Sequence, residues 1–129
     1  MATGVTPNGT PWTSYSTVIG GETVRWGLAN SRLGATNIPV VLYCHGSGGA
    51  SNQFETLSAW TGLRNWLIDN GWAWIEGTGG SSQSWGAQIA RDGYETQFAH
   101  VSGVLSIGPV VVLGRSMGGF VAVSYTHLT

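Results

Sequence analysis

The sequence predicts an α/β fold: a mostly parallel sheet with an antiparallel hairpin at its N-terminus. Three observations carry this. Short apolar runs at residues 40–44, 72–76 and 110–113 have strand length. Between them lie helix-length segments whose apolar residues recur every three or four positions. Each run also ends close to a cluster of glycines, the composition of a tight exit from a strand. Strand, helix, strand, helix, strand is the order from which right-handed crossovers build a parallel sheet.

Taken in order, residues 1–12 are rich in Gly, Pro, Thr and Asn and read as an irregular lead-in. Tyr15, Thr17 and Ile19, then Gly20-Gly21, then Thr23, Val24, Trp26 and Leu28 form the pattern of two strands joined by a glycine turn. Residues 30–37 are small and polar, a loop. Pro39 allows a strand to begin but not to run through, so the first fully buried strand occupies residues 40–44. His45-Gly46-Ser47-Gly48-Gly49 follows, a loop able to turn sharply and bare its backbone N–H groups. Asn52 with Glu55 three residues later has the form of a helix cap. Phe54, Leu57, Trp60, Leu63 and Leu67 then make one apolar stripe, with a break expected near Gly62 and a stop at Asn70-Gly71. After the strand at 72–76 comes a flexible loop over 77–82. A second helix is expected from about residue 85 to residue 105, burying Ile89, Phe98, Val101, Val104 and Leu105, although Gly93 and Gly103 weaken it. Ile107-Gly108-Pro109 leads into the last strand.

That last strand, Val110-Val111-Val112-Leu113, has four consecutive apolar residues, three of them β-branched, which suits burial on both faces. Gly114-Arg115-Ser116-Met117-Gly118-Gly119 follows it directly, a Gly-x-Ser-x-Gly on a strand-to-helix bend too tight for side chains on either flank. Ser116 then stands out of the fold, Gly114 and Gly118 let the backbone crowd beside it, and Gly119 lets the next helix approach the sheet.

With residues 40–49 and 110–119 both in place, the chain resembles the N-terminal half of the α/β-hydrolase family, serine esterases and peptidases that use a Ser, acid, His triad. The resemblance covers roughly residues 14–122, and the pair of motifs is far more specific than either alone. Small esterase, dienelactone-hydrolase-like and peptidase-like members are the nearest in pattern, including hydrolases of bacteriophages and actinobacteria. The resemblance implies that Ser116 is the nucleophile. It implies an oxyanion hole from the backbone N–H of Met117 and one from Ser47, with Gly48 next. His45 and Gly46, with Gly114, Gly118 and Gly119, would shape the site. The implied reaction is hydrolysis of a carboxylic ester, less readily an amide, through an acyl-enzyme, with no cofactor and no metal.

In this family the acid and the histidine follow the serine. Residues 117–129 contain one histidine, His127, within residues 123–129, a stretch that reads as a translated sequencing adapter. The expected organisation is therefore an incomplete hydrolase domain over 1–122 and a non-native tail over 123–129. The acid and base would be encoded further downstream, leaving this chain inactive by itself.

Composition narrows the alternatives. Only 9% of the 129 residues are charged and the formal charge is −1, against about 25% charged residues in ordinary domains. All five basic residues are arginines scattered along the chain, too few to build a patch for nucleic acid or an anionic membrane surface. The expected partner is a small-molecule or polymer-borne ester. A nucleotide-binding domain using the glycine loops is the rival from another class, but a chain without lysine has no Gly-Lys-Ser/Thr phosphate loop. A non-catalytic binding relative is the third reading.

No run of apolar residues approaches membrane-spanning length, and the first residues lack the basic start and apolar core of a signal peptide. This favours the cytosol, or a particle that leaves the cell by lysis. Among single residues, Cys44 reads as a small buried hydrophobe, His100 as a partly exposed helix histidine and Glu76 as a capping or salt-bridging carboxylate. Arg115 reads as a brace for neighbouring loops and Trp85 as lining for a pocket.

Overall fold

The structure, a computed structural model, describes residues 1–46, 50–79 and 88–115, with side chains of the last segment described from residue 92. Six strands form one sheet: β1 (Ala2–Val5), β2 (Pro11–Ile19), β3 (Glu22–Ala29), β4 (Ile38–Cys44), β5 (Ala73–Gly77) and β6 (Ile107–Gly114), in the order β1-β2-β3-β5-β4-β6. The helices are α1 (Gln53–Thr56), α2 (Thr61–Asp69) and α3 (Gln88–Ser102), with a 3-10 turn over Ser58–Trp60 between the first two.

The sheet is mixed. β4 runs parallel to both of its neighbours, β5 and β6, while the remaining pairings are antiparallel. The glycine hairpin is β2–β3, with Ile19 opposite Glu22 and Gly20 and Gly21 both left-handed at φ 57° and 82°. That is the backbone a two-residue turn needs to match strand twist, and glycine adopts it without strain. The lead-in is not irregular as the sequence suggests: Ala2–Val5 pairs with β2 as an outer strand. Nothing in its composition marks it, because its stability comes from the partner ladder and from Gly4, where a Cβ would sit 2.6 Å from the Trp12 indole.

β5 lies on one side of β4 and β6 on the other, so the two crossovers step in opposite directions and place their helices on opposite faces. β4 serves both cores through its alternation. Val40, Leu42 and Cys44 face α3, together with Val24, Leu28, Ile75, Tyr94 and Val101. Val41 and Tyr43 face α1 and α2, together with Trp12, Phe54, Leu67, Ile68 and Trp74.

Helix boundaries differ from the periodicity in instructive ways. The single stripe expected from Asn52 onward breaks at Leu57, whose ψ of 125° is extended, rather than at Gly62. The 3-10 turn that follows brings Trp60 down to stack on Phe54 and to meet Tyr43 edge-on. That leaves Leu63 exposed on the outer side of α2. The α2 terminus matches expectation: Gly71 is left-handed, its N–H donates to Ile68 O, and Trp72 N–H reaches back to Leu67 O, a Schellman ending. α3 closes at Ser102, and Val104 beyond it is exposed while Val101 and Leu105 are buried.

β6 is the exposed apolar edge expected of the last strand of an incomplete domain. Its valines suit burial on both faces, yet it is an edge strand, with Val110 38% and Val111 48% exposed. The apolar pattern records what the strand can bury, and among the described residues only β4 pairs with it. A long apolar edge invites pairing with other chains. The chain expressed alone is therefore expected to self-associate, seen as concentration-dependent sedimentation, and Val111→Lys to raise the monomer fraction.

Candidate active site

The loops after β4 and β5 leave toward helices on opposite faces of the sheet, which makes the carboxyl ends of these two adjacent strands the place where sheets of this kind are expected to hold a site. Three segments meet there: Cys44 to Gly46, Gly77 to Gly79, and Gly114 with Arg115. Cys44 is the register partner of Gly114, and Arg115 N–H donates to Cys44 O at 3.2 Å. The two glycine-rich motifs, distant in sequence, thus leave the sheet side by side. Of the residues the sequence singles out, His45, Gly46 and Gly114 lie within the description. Ser116, Met117, Gly118 and Gly119 on one side, Ser47 and Gly48 on the other, and Trp85 lie outside the described residues.

His45 is 2% exposed. Its backbone N–H donates to the Tyr94 hydroxyl at 3.0 Å, and its ring nitrogens lie 2.8 Å from Gly46 O and 2.6 Å from Thr78 O. One imidazole thereby ties the end of β4 to the end of β5. Thr78 extends the tie to β3, its N–H donating to Thr23 O at 3.0 Å and its hydroxyl accepting from Thr23 N–H at 2.9 Å. Tyr94 comes up from α3 against Gly79, where a Cβ would meet its ring at 2.5 Å. Burial raises the Tyr94 phenol well above its ordinary value, so it stands in the site as a neutral hydroxyl.

Gly46 is buried, and its N–H donates to Gln53 Oε1 at 2.9 Å. The same oxygen accepts from the Tyr43 hydroxyl, which in turn accepts from Trp60 Nε1–H at 3.0 Å. Burial pushes the Tyr43 phenol up to about 12, which keeps its proton available for that bond. Neither Gln53 nor Tyr43 is singled out by the sequence. Tyr43 could have been found from its parity in β4, and Tyr94 from its spacing with Phe98 and Val101. Gln53 carries no local signal, because its role depends on a fold that brings Gly46 back to it.

Glu76 sits at the end of β5, almost wholly buried. Its carboxylate accepts Phe54 N–H at 2.8 Å, Glu55 N–H at 3.0 Å and Trp74 Nε1–H at 3.2 Å. The capping role read from the sequence is thus seen, but on the first turn of α1 rather than on a glycine loop. Asn52 makes no side-chain cap bond there. Glu55 lies close by and pairs with Arg25 at 3.7 Å, while Arg64 donates to Glu55 O at 2.7 Å.

Burial pushes Glu76 from its ordinary 4.5 up to about 8, outweighing the two backbone N–H groups that hold it down. Between these values the folded chain holds a proton that the unfolded chain has released, so stability falls as pH rises from 4.5 to about 8. The slope should reach at most about 1.4 kcal/mol per pH unit. Denaturant midpoints measured across this range should show the decline in the native sequence, and Glu76→Gln should flatten it.

The other single residues fall as follows. Cys44 is fully buried and burial pushes its thiol up to about 12, an inert hydrophobe as expected. His100 is half-buried with its ring 5.3 Å from Trp26. Arg115 is exposed. Gln97 is fully buried against Gly77, and among the described residues neither of its amide atoms has a hydrogen-bond partner.

No family model matches the sequence, and a search of curated proteins returned no match. Solved structures do match. A cold-adapted esterase from an Arctic intertidal metagenomic library superposes with a TM-score of 0.62 at 12% identity, over 91% of this chain and 55% of the esterase. The 2,6-dihydroxy-pseudo-oxynicotine hydrolase superposes with a TM-score of 0.64 at 19% identity, over 93% of this chain and 34% of that enzyme. The chain therefore has the α/β-hydrolase fold and spans about half the length of the first of these structures and a third of the second.

Proposed function

We propose that the chain carries the nucleophile and oxyanion-hole portion of a serine hydrolase that cleaves a carboxylic ester, on a small molecule or a polymer, through an acyl-enzyme. The observation that carries this reading is the junction of the two motifs, Gly114 in register with Cys44 and Arg115 N–H bonded to Cys44 O. Ser116 is the residue after Arg115 and Ser47 the residue after Gly46, so this junction supports assigning the hydroxyl and the amide donors to the same two motifs. Ser116 Oγ adds to the ester carbonyl while a base takes its proton, and the carbonyl oxygen gathers negative charge between the N–H groups of Met117 and Ser47 or Gly48. Collapse expels the alcohol, which takes up the proton, and water repeats the sequence on the acyl group to regenerate Ser116.

The amides on the near side of the loop narrow the choice of donor. His45 N–H is taken by Tyr94 and Gly46 N–H by Gln53, so the second oxyanion donor has to come from beyond Gly46. The base and its acid partner we assign to sequence that follows Ser116 in the complete polypeptide, in the chain order this fold uses. A fluorophosphonate probe should label the complete polypeptide, and peptide mapping should find the adduct on Ser116. Label on another residue, or none at all, overturns the reading.

A further inference from the structure

We infer that His45 is a two-proton clasp: it joins the ends of β4 and β5 through a pair of donated hydrogen bonds that only the imidazolium can make, so the closure is complete in the cation and half undone in the neutral ring. The inference does not depend on the reaction the chain performs. Nδ1 lies 2.8 Å from Gly46 O and Nε2 lies 2.6 Å from Thr78 O, both within hydrogen-bond distance. A carbonyl oxygen can only accept, and a neutral imidazole offers one N–H and one lone pair. In the neutral ring, one of the two contacts therefore sets a lone pair against a carbonyl oxygen. With a proton on each nitrogen both contacts are donated, and both favour the charged form.

The surroundings hold the ring in this position. It is buried, its backbone N–H is taken by the Tyr94 hydroxyl at 3.0 Å, and the Tyr94 ring lies 6.3 Å away, centroid to centroid. Thr78 is fixed in turn by its two bonds to Thr23. Among the described residues no carboxylate pairs with the ring. The Cys44 thiol on β4 and the Tyr94 phenol on α3 are kept neutral by burial. Glu76 of β5 turns its carboxylate to the first turn of α1, while Asp92 and Glu95 of α3 and Arg115 after β6 are exposed. Residues 47–49 and 80–87 bring no acidic or basic side chain. Two carbonyl dipoles thus balance the charge, which couples its loss directly to the loss of a bond between the strands.

The sign follows from the donor count: the second bond is present while the ring holds two protons and is lost as pH rises through the ring's own titration. The test is made on the chain itself, from about pH 5 to 9. Ring ¹⁵N resonances of His45 count the protons on each nitrogen, and carbonyl ¹³C resonances of Gly46 and Thr78 read the two bonds. As the ring loses a proton, one of these carbonyl resonances should move upfield in step with it, while the Leu42 carbonyl within β4 stays in place. The amide on the released side, Gly46 or Thr78, should exchange about 10- to 100-fold faster once free-peptide exchange is divided out, the size of losing one bond from a charged donor. The same measurements in Glu76→Gln keep the ionisation of Glu76 out of the reading.

A ring that keeps a single proton throughout the range in which the chain is folded overturns the inference, since two donated bonds cannot then exist. A ring that titrates while both carbonyls and both amides stand still overturns it as well. A ring that stays doubly protonated to the top of the range supports it, with both carbonyl resonances constant. His45→Gln, whose side-chain amide holds its two protons at every pH, should remove the response at Gly46 and Thr78, and a response that survives belongs to another group and defeats the assignment. Should that variant not fold, the native ring and carbonyl resonances still decide.

Discussion

Replacing Ser116 by alanine is expected to lower kcat for ester hydrolysis by about 10⁴- to 10⁶-fold in the complete polypeptide, with KM changed little. The size of the effect follows from what the hydroxyl does. Nucleophile, base and acid act as a unit, so removing the first leaves the others without a substrate for proton transfer, and what remains is activation of water by the oxyanion donors and by binding alone. KM is spared because Ser116 Oγ contributes little to holding the ester in its ground state. The same variant should refuse the fluorophosphonate. A loss of only about tenfold in kcat would place the nucleophile elsewhere and leave Gly-x-Ser-x-Gly as an ordinary turn.

The second large effect concerns stability. Trp74 is fully buried in β5, lies edge-on to Trp12 and tilted against Phe54, and donates its indole N–H to Glu76. It fits because its cross-strand neighbour is Gly27, where a Cβ would stand 2.2 Å from the indole. Trp74→Ala should cost about 3–5 kcal/mol, the range for large aromatic truncations in a core. That is a large share of the roughly 5–15 kcal/mol by which domains are ordinarily stable. Gly27→Ala should cost about 1–3 kcal/mol by overpacking. The two should not add: with the indole gone, the extra methyl meets open space, and denaturant midpoints of the double variant should show a favourable coupling of 0.5 kcal/mol or more, as contacting residues do. Additive costs would mean that Gly27 and Trp74 do not share the space the structure gives them.

The sequence carries the parallel half of the sheet openly. Val40 to Cys44 is buried on both faces and is identified by its length and β-branched content, although Pro39 does not bound it: β4 begins at Ile38 and passes Pro39 with a register irregularity. The hairpin is equally plain, because Gly20-Gly21 between two alternating runs can take the left-handed pair that a two-residue turn needs. β1 is not legible, since it is set by the strand that lies alongside and not by its own residues. The break at Leu57 is hidden for a related reason: an aliphatic residue at a helical position gives no sign that Trp60 will be drawn toward Tyr43.

The glycines and serine of the two motifs read as a tight bend and a donor loop, of which the described residues reach only Gly46 and Arg115. Of the residues bonded to this rim, Tyr43 shows in its parity within β4 and Tyr94 in its spacing with Phe98 and Val101, while Gln53 carries no local signal. Glu76 is intermediate. Its place at the end of a strand marks it for a polar duty, but the partner, the first turn of α1, emerges only from the crossover.

The tie between Thr23 and Thr78 fixes where the glycine hairpin ends up. β3 runs antiparallel to β5, with Val24 opposite Gly77, so the Gly20-Gly21 tip stands on the same rim as His45 and Gly114. A bend that looks like remote punctuation in the sequence thus stands beside the carboxyl ends of the parallel strands. Lengthening that ribbon by a few residues therefore reshapes this rim of the sheet while sparing both cores.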